Sequence, residues 1–159
     1  MKKIIILAIS TVLFLSCNQT TNESNRNAIE NQGTEATKTD NSTVQLSAGQ
    51  KTLKLSQLPE SIDVAMTNNT TDTITTGLHY NIQKFDANEW KEVSPNDIVF
   101  HDIGFRLRPN EKKNFETKLY KNQIDYTTGE YRVVKYYLMS DYQETKQRFD
   151  VYAEFTVED

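Results

Sequence analysis

The sequence predicts an all-β fold, a single antiparallel β-sandwich of about seven or more strands. Three observations predict it. Apolar and polar residues alternate with period two from about Ser61 to the C-terminus. Clusters of Asn, Asp, Thr and Pro interrupt the alternation at near-regular intervals. No window of about twelve residues carries an apolar stripe at helical spacing.

The elements follow in order. Ile62, Val64 and Met66 alternate with Asp63, Ala65 and Thr67, and Asn68-Asn69-Thr70-Thr71-Asp72 ends that run. Leu78, Tyr80 and Ile82 alternate with His79, Asn81 and Gln83. Asp86-Ala87-Asn88-Glu89 reads as a hairpin turn, after which Trp90 and Val93 resume a strand. Val99, His101, Ile103, Phe105 and Leu107 share one parity; Phe100 breaks it, as a bulge or an edge bend would. Pro109-Asn110-Glu111 is the next turn, and Phe115, Thr117 and Leu119 follow it. Tyr131, Val133, Tyr137 and Met139 share a parity in which Lys135 is the odd member. The opposite face of that run is also apolar at Val134, Tyr136 and Leu138, which places the strand centrally in its sheet. The clearest run is the last: Phe149, Val151, Ala153, Phe155 and Val157 against Asp150, Tyr152, Glu154, Thr156 and Glu158.

The chain start has a different character. Met1-Lys2-Lys3 is positive, and Ile4 to Leu15 is apolar apart from Ser10 and Thr11. That run is too short for a stable span, which needs about twenty residues. With the small Ser16 behind it, it reads as a secretory signal. Phe14-Leu15-Ser16-Cys17 resembles the bacterial lipobox, in which the Cys sulfur receives a diacylglyceryl group and the chain is cut before the Cys. The resemblance makes Cys17 the lipid-attachment residue and the membrane a partner through its acyl chains, palmitate among them. Phe14 stands where that pattern usually has Leu. Processing leaves 16 basic against 22 acidic side chains, a side-chain balance of −6, so anionic headgroups repel the body and the acyl chains do the holding.

Residues 18–50 are rich in Asn, Thr, Gln, Ser and Glu and show no sustained period. Such a segment buries too little apolar surface to offset its ordering entropy and reads as a tether. The expected organisation is a signal peptide over 1–16, a lipidated tether over 17–50 and the sandwich over 51–159, although Val44–Leu46 and Thr52–Leu55 can already belong to the first strand.

Gly129-Glu130-Tyr131-Arg132-Val133 is more specific. In immunoglobulin-like sandwiches a Tyr opens the penultimate strand two residues before an inward position, and its hydroxyl bonds backbone across the corner. Tyr131 and Val133 fit that spacing. Glu89-Trp90-Lys91-Glu92-Val93, Leu107-Arg108-Pro109, Gly129 to Lys135 and Tyr152-Ala153-Glu154-Phe155 follow one another in order. Together they resemble the bacterial immunoglobulin-like domain family of secreted and lipid-anchored proteins, over about Leu55 to Val157. Asn88 and Asn110 stand where that family has Gly in two turns. Both turns call for positive φ, which Asn tolerates best after Gly. The resemblance implies a fold and a location, not a reaction.

Composition excludes several functions. The net charge of −4 and pI near 5.3 speak against nucleic acid as a partner. A single Cys allows no internal disulfide, and two His leave little for a metal centre. His101-Asp102 is the best catalytic-looking pair, but no G-x-S-x-G elbow accompanies it. Its parity instead predicts a half-buried, hydrogen-bonded His101, with His79 facing solvent. Asp125 to Glu130 and Asp40 to Ser42 do not match a calcium loop. No catalytic, cofactor-binding or metal-ligating residue is therefore assigned, and no cofactor is expected. Arg132 and Lys135 read either as contacts to an anionic partner or as structural cations, the arginine stem over an aromatic ring with a cross-strand acid.

The expected function is that of a lipid-anchored envelope protein outside the cytoplasm, whose domain binds an envelope protein or glycan without catalysis. The membrane is the outer one in a two-membrane cell and the plasma membrane otherwise. Proteinase inhibition or ligand sensing is the alternative. A broad aromatic patch including members of Tyr136, Tyr137, Tyr142 and Tyr152 favours adhesion, and a single rigid exposed loop favours inhibition. Ligand and oligomeric state stay open.

Overall fold

The computed structural model describes residues 43–159. The expected signal peptide, Cys17 and the expected tether up to residue 42 lie outside the described residues.

Among the described residues, ten strands form two sheets. The first sheet has the order β1 (Val44–Ala48), β3 (Ser61–Asn68), β8 (Lys112–Lys118). The second runs β2 (Thr52–Lys54), β10 (Arg148–Glu158), β9 (Gly129–Leu138), β4 (Ile74–Gly77), β7 (Gly104–Leu107); β5 (Asn81–Asp86) also pairs with β9, and β6 (Glu89–Glu92) pairs with β5. All pairings are antiparallel except β2 with β10. The fold is an immunoglobulin-like β-sandwich, as the alternation predicts.

The alternating runs bury the side chains expected of them. Ile62, Val64 and Met66 of β3 and Ala153, Phe155 and Val157 of β10 point into the interlayer space. One apolar cluster joins Ile62, Val64, Tyr80, Ile82, Tyr131 and Phe155; a second joins Val44, Met66, Ile74, Leu107 and Phe115. Tyr131 makes the corner contact its spacing predicts. Its hydroxyl accepts from the Thr127 N–H and donates to the Thr127 carbonyl, both at 3.0 Å. The Asn-rich turn is held by the fully buried Asn68, whose amide donates to the Asp72 and Leu107 carbonyls and accepts from Thr70.

Three features differ from expectation. Among the described residues the sandwich starts at Val44, and the two stretches left open to a first strand, Val44–Leu46 and Thr52–Leu55, fall in two strands, β1 and β2, on different sheets. β1 lies on β3, and the chain then crosses to the other sheet, where β2 runs parallel to β10. Gly49 makes the crossing: its N–H donates to the Asp63 carbonyl at 2.8 Å, and a Cβ there would stand 3.2 Å from that oxygen. β1 buries only its two ends, Val44 and Ala48, so its alternation is weak in the sequence.

The run through Leu78, Tyr80 and Ile82 is not one strand. β4 and β5 both lie against β9 but are separated at Leu78–Tyr80. The Val99–Leu107 parity also fails before Gly104, since only Gly104–Leu107 is strand. Phe100 is the inward residue, with its ring centroid 5.1 Å from that of Tyr80, while Val99 is 90% exposed. His101 is correspondingly exposed rather than half-buried. A segment outside a sheet has no pleat to impose period two, so parity assigns its faces arbitrarily.

Candidate functional site

The outward face of the second sheet carries the side chains most suited to contact. The β5–β6 hairpin turns through Ala87 (φ 51°) and Asn88 (φ 65°), both left-handed, as a two-residue hairpin turn requires. That turn sets Phe85 opposite Trp90, with ring centroids 5.1 Å apart. On the adjoining strands Gln83 pairs with Arg132, and Arg132 with Glu154, one pleat from the Val134–Tyr152 pair. The register therefore draws residues of four strands into one group.

Arg132 is its centre. The guanidinium carbon lies 4.3 Å from the Trp90 ring centroid and 4.0 Å from that of Tyr152. Nε donates to Gln83 Oε1 at 2.8 Å. Phe85 and Tyr152 remain 37% and 44% exposed, so this face presents ring surface to solvent. A second cation–ring pair, Arg148 over Tyr136 at 4.3 Å, extends the patch along β9 and β10. Beside Trp90 and Tyr152 opens a cleft of about 420 Å³, also lined by Leu46, Lys51, Glu130 and Glu154.

Of the four tyrosines singled out in the sequence, Tyr136 and Tyr152 belong to this face. Tyr137 points the other way and stacks on Phe149 at 5.2 Å, and Tyr142 sits on the short helix α1 (Tyr142–Thr145). Arg132 does lie over aromatic rings, yet no cross-strand acid pairs with it among the described residues. Lys135 belongs to the interior: it is 1% exposed and donates to the Gly77 and His79 carbonyls. Phe85 escaped notice in the sequence. The signal that finds it is the hairpin, since a two-residue turn at Ala87-Asn88 places residue 85 across from Trp90.

His101 and Asp102 line a smaller depression of about 300 Å³ with His79, Tyr136 and Arg148, and its lining contains no Ser or Cys. Among the described residues no cluster of three or more His, Cys, Asp or Glu has metal-site geometry.

Fold and face together define an immunoglobulin-like domain with an aromatic and cationic outward sheet face. The chain belongs to the bacterial Ig-like domain family, whose model matches residues 40–156. No curated protein matches the chain. Among solved structures it is similar to the CsuC–CsuE chaperone–tip adhesion subunit pre-assembly complex from archaic chaperone-usher Csu pili of Acinetobacter baumannii. That alignment has 12% identity and a TM-score of 0.41, and covers 70% of this chain and 56% of the other, less than two thirds of its length. The ASH/PapD-like domain 7 of human CEP192 aligns at 9% identity and a TM-score of 0.33, over 84% of this chain and all of that domain.

Proposed function

We propose that the protein is an envelope lipoprotein, acylated at Cys17, whose Ig-like domain is a non-catalytic binding module for an envelope component. The observation that carries the binding role is the outward group of Phe85, Trp90, Arg132 and Tyr152. Large rings held at a surface by a shared cation lose little freedom on contact, which favours recognition. The membrane link rests on the charged start, the short apolar run and the Leu15-Ser16-Cys17 junction. The polar stretch ahead of Thr43 then lets the domain stand away from the bilayer.

Inhibition of an enzyme by the loop over residues 93–103 is the second reading. Val99, at 90% exposure, is the observation in its favour. The loop's hydrogen bonds to the body stay at its start among the described residues, the Val93 N–H donating to the Ile82 carbonyl and the Ser94 hydroxyl accepting from the Ile82 N–H, while the Ile103 N–H reaches only His101 within the loop. A loop so sparsely bonded is a poor rigid plug.

Two measurements test the first reading. Cys17→Ser should move the protein from the membrane to the soluble fraction and abolish labelling by palmitate. The soluble Cys17→Ser chain, mixed with isolated insoluble envelope material, should then sediment with it, and adding Trp90→Ala and Tyr152→Ala should leave it in the supernatant. Release by Val99→Ser but not by the aromatic pair would transfer the contact to the loop.

A further inference from the structure

Arg132 is more restrained than a surface arginine ordinarily is. Two rings face its guanidinium and Gln83 holds Nε, so the plane of the group is set before any ligand arrives. Its two Nη atoms have no hydrogen-bond partner among the described residues, and neither is buried. Glu154 stands directly across the β9–β10 ladder, yet no ion pair joins the two. The side chain thus presents the free end of a planar fork, four N–H bonds in a geometry that matches a planar oxyanion.

From this fork we infer that Arg132 is the anchor for a carboxylate, carried by a sugar ring that lies in the neighbouring cleft. The inference rests on the binding role proposed above and names its ligand class.

Charge selects the anion. Glu130 and Glu154 line the cleft, and the processed chain has a side-chain balance of −6. Repulsion from these groups grows with ligand charge, so a monoanionic carboxylate is tolerated where a phosphate dianion is opposed. The cleft selects the scaffold. Trp90 and Tyr152 offer ring surface to the apolar C–H face of a sugar, while Glu130, Glu154 and Lys51 can exchange hydrogen bonds with its hydroxyls. Its volume of about 420 Å³ suits a short oligosaccharide. β9 is bonded to β10 on one side and to β4 and β5 on the other, so it takes no extra strand; β6 pairs only with β5, and β2 covers β10 only over Thr156–Glu158, so a peptide laid along either edge is the rival that the peptide arms below test.

Trp90 is the only tryptophan of the chain, so its fluorescence reads the site directly. The full chain in detergent micelles is titrated with a trisaccharide of two neutral galactose units and one galacturonate, which carries a single carboxylate, with its methyl ester and with the neutral galactose trisaccharide. A short peptide with a free and with an amidated C-terminus forms the remaining arms. The acidic trisaccharide should shift Trp90 emission saturably, with the ester and the neutral sugar at least about tenfold weaker. Arg132→Gln should erase that preference, and Arg132→Lys, which keeps the charge but not the fork, should restore only part of it.

Equal responses to acidic and neutral sugars, or none to the acidic sugar, overturn the inference. A response to the free-carboxylate peptide alone overturns the sugar assignment. The binding role fails separately, when Trp90→Ala with Tyr152→Ala leaves envelope sedimentation unchanged; if that pair releases the chain while Arg132→Gln does not, the face stands and the carboxylate anchor falls.

Discussion

The ammonium of Lys135 lies 2.8 Å from the carbonyl oxygen of Gly77, and it also donates to the carbonyl of His79 at 3.2 Å. Both acceptors flank the gap between β4 and β5. Where those strands part, backbone carbonyls lose their ladder partners, and a side chain from the facing strand takes their place. The same ammonium stands 4.2 Å from the centroid of the Phe115 ring on the opposite sheet and 6.0 Å from that of Tyr80. Lys135 therefore sits between the two apolar clusters, with no carboxylate paired to it among the described residues.

This site predicts an alkaline rise in stability. Burial disfavours the charged form and brings the lysine down from 10.5 to about 8. Below pH 8 both folded and unfolded chains hold the proton, and the group contributes no slope. Between about 8 and 10.5 the unfolded chain binds more protons, so stability increases with pH. The ceiling on the gain is on the order of 3 kcal/mol. Tyr80 and Tyr126 act in the opposite sense. Burial raises both above the ordinary 10.0, so the folded state loses ground once unfolded tyrosines ionise. The urea midpoint should climb from pH 8 towards 10 and fall beyond it. Lys135→Met should remove the climb and keep the fall; a climb unchanged in the variant would assign it to other groups.

Thr117 makes an opposite case. It is fully buried on β8, and its hydroxyl has no hydrogen-bond partner among the described residues. A desolvated hydroxyl without a partner costs about 1–3 kcal/mol, and valine has nearly the same shape. Thr117→Val should raise the melting temperature by about 4 °C, readable by circular dichroism. A lower melting temperature would mean that the hydroxyl is satisfied in solution.

Tyr131 ties β9 to the loop before it. Tyr131→Phe keeps the ring contacts with Tyr126 and Phe155 but strips both partners from the backbone of Thr127. The expected loss is about 1–3 kcal/mol in urea unfolding, with the native spectrum retained. A neutral result would show that water replaces the hydroxyl freely.

Tyr131 was legible in the sequence and Lys135 was not, for a physical reason. The pleat forces alternation, so Ile62-Val64-Met66 and the run from Phe149 to Val157 state their faces directly. The corner tyrosine bonds four residues away, within one local motif. The acceptors of Lys135 lie 56 and 58 residues away, at a strand break that no local pattern announces. The contact face was legible in part. Trp90, Arg132 and Tyr152 stood out by type, but their convergence depends on the register of four strands.

The hairpin beneath that face offers the last prediction. Ala87 and Asn88 both have positive φ, which costs an alanine roughly 1–2 kcal/mol relative to a residue at ease there. Asn-Gly is the preferred pair for such a turn. Replacing Ala87 by Asn and Asn88 by Gly should stabilise the domain by about 1 kcal/mol, a gain of about 4 °C in melting temperature. The exchange leaves the Phe85–Trp90 pair untouched, so Trp90 emission should not move. A shift in emission without a gain in stability would mean that the turn, and with it the register that brings Trp90 to Arg132, has been mis-set; the sedimentation of the Cys17→Ser chain should then weaken in parallel.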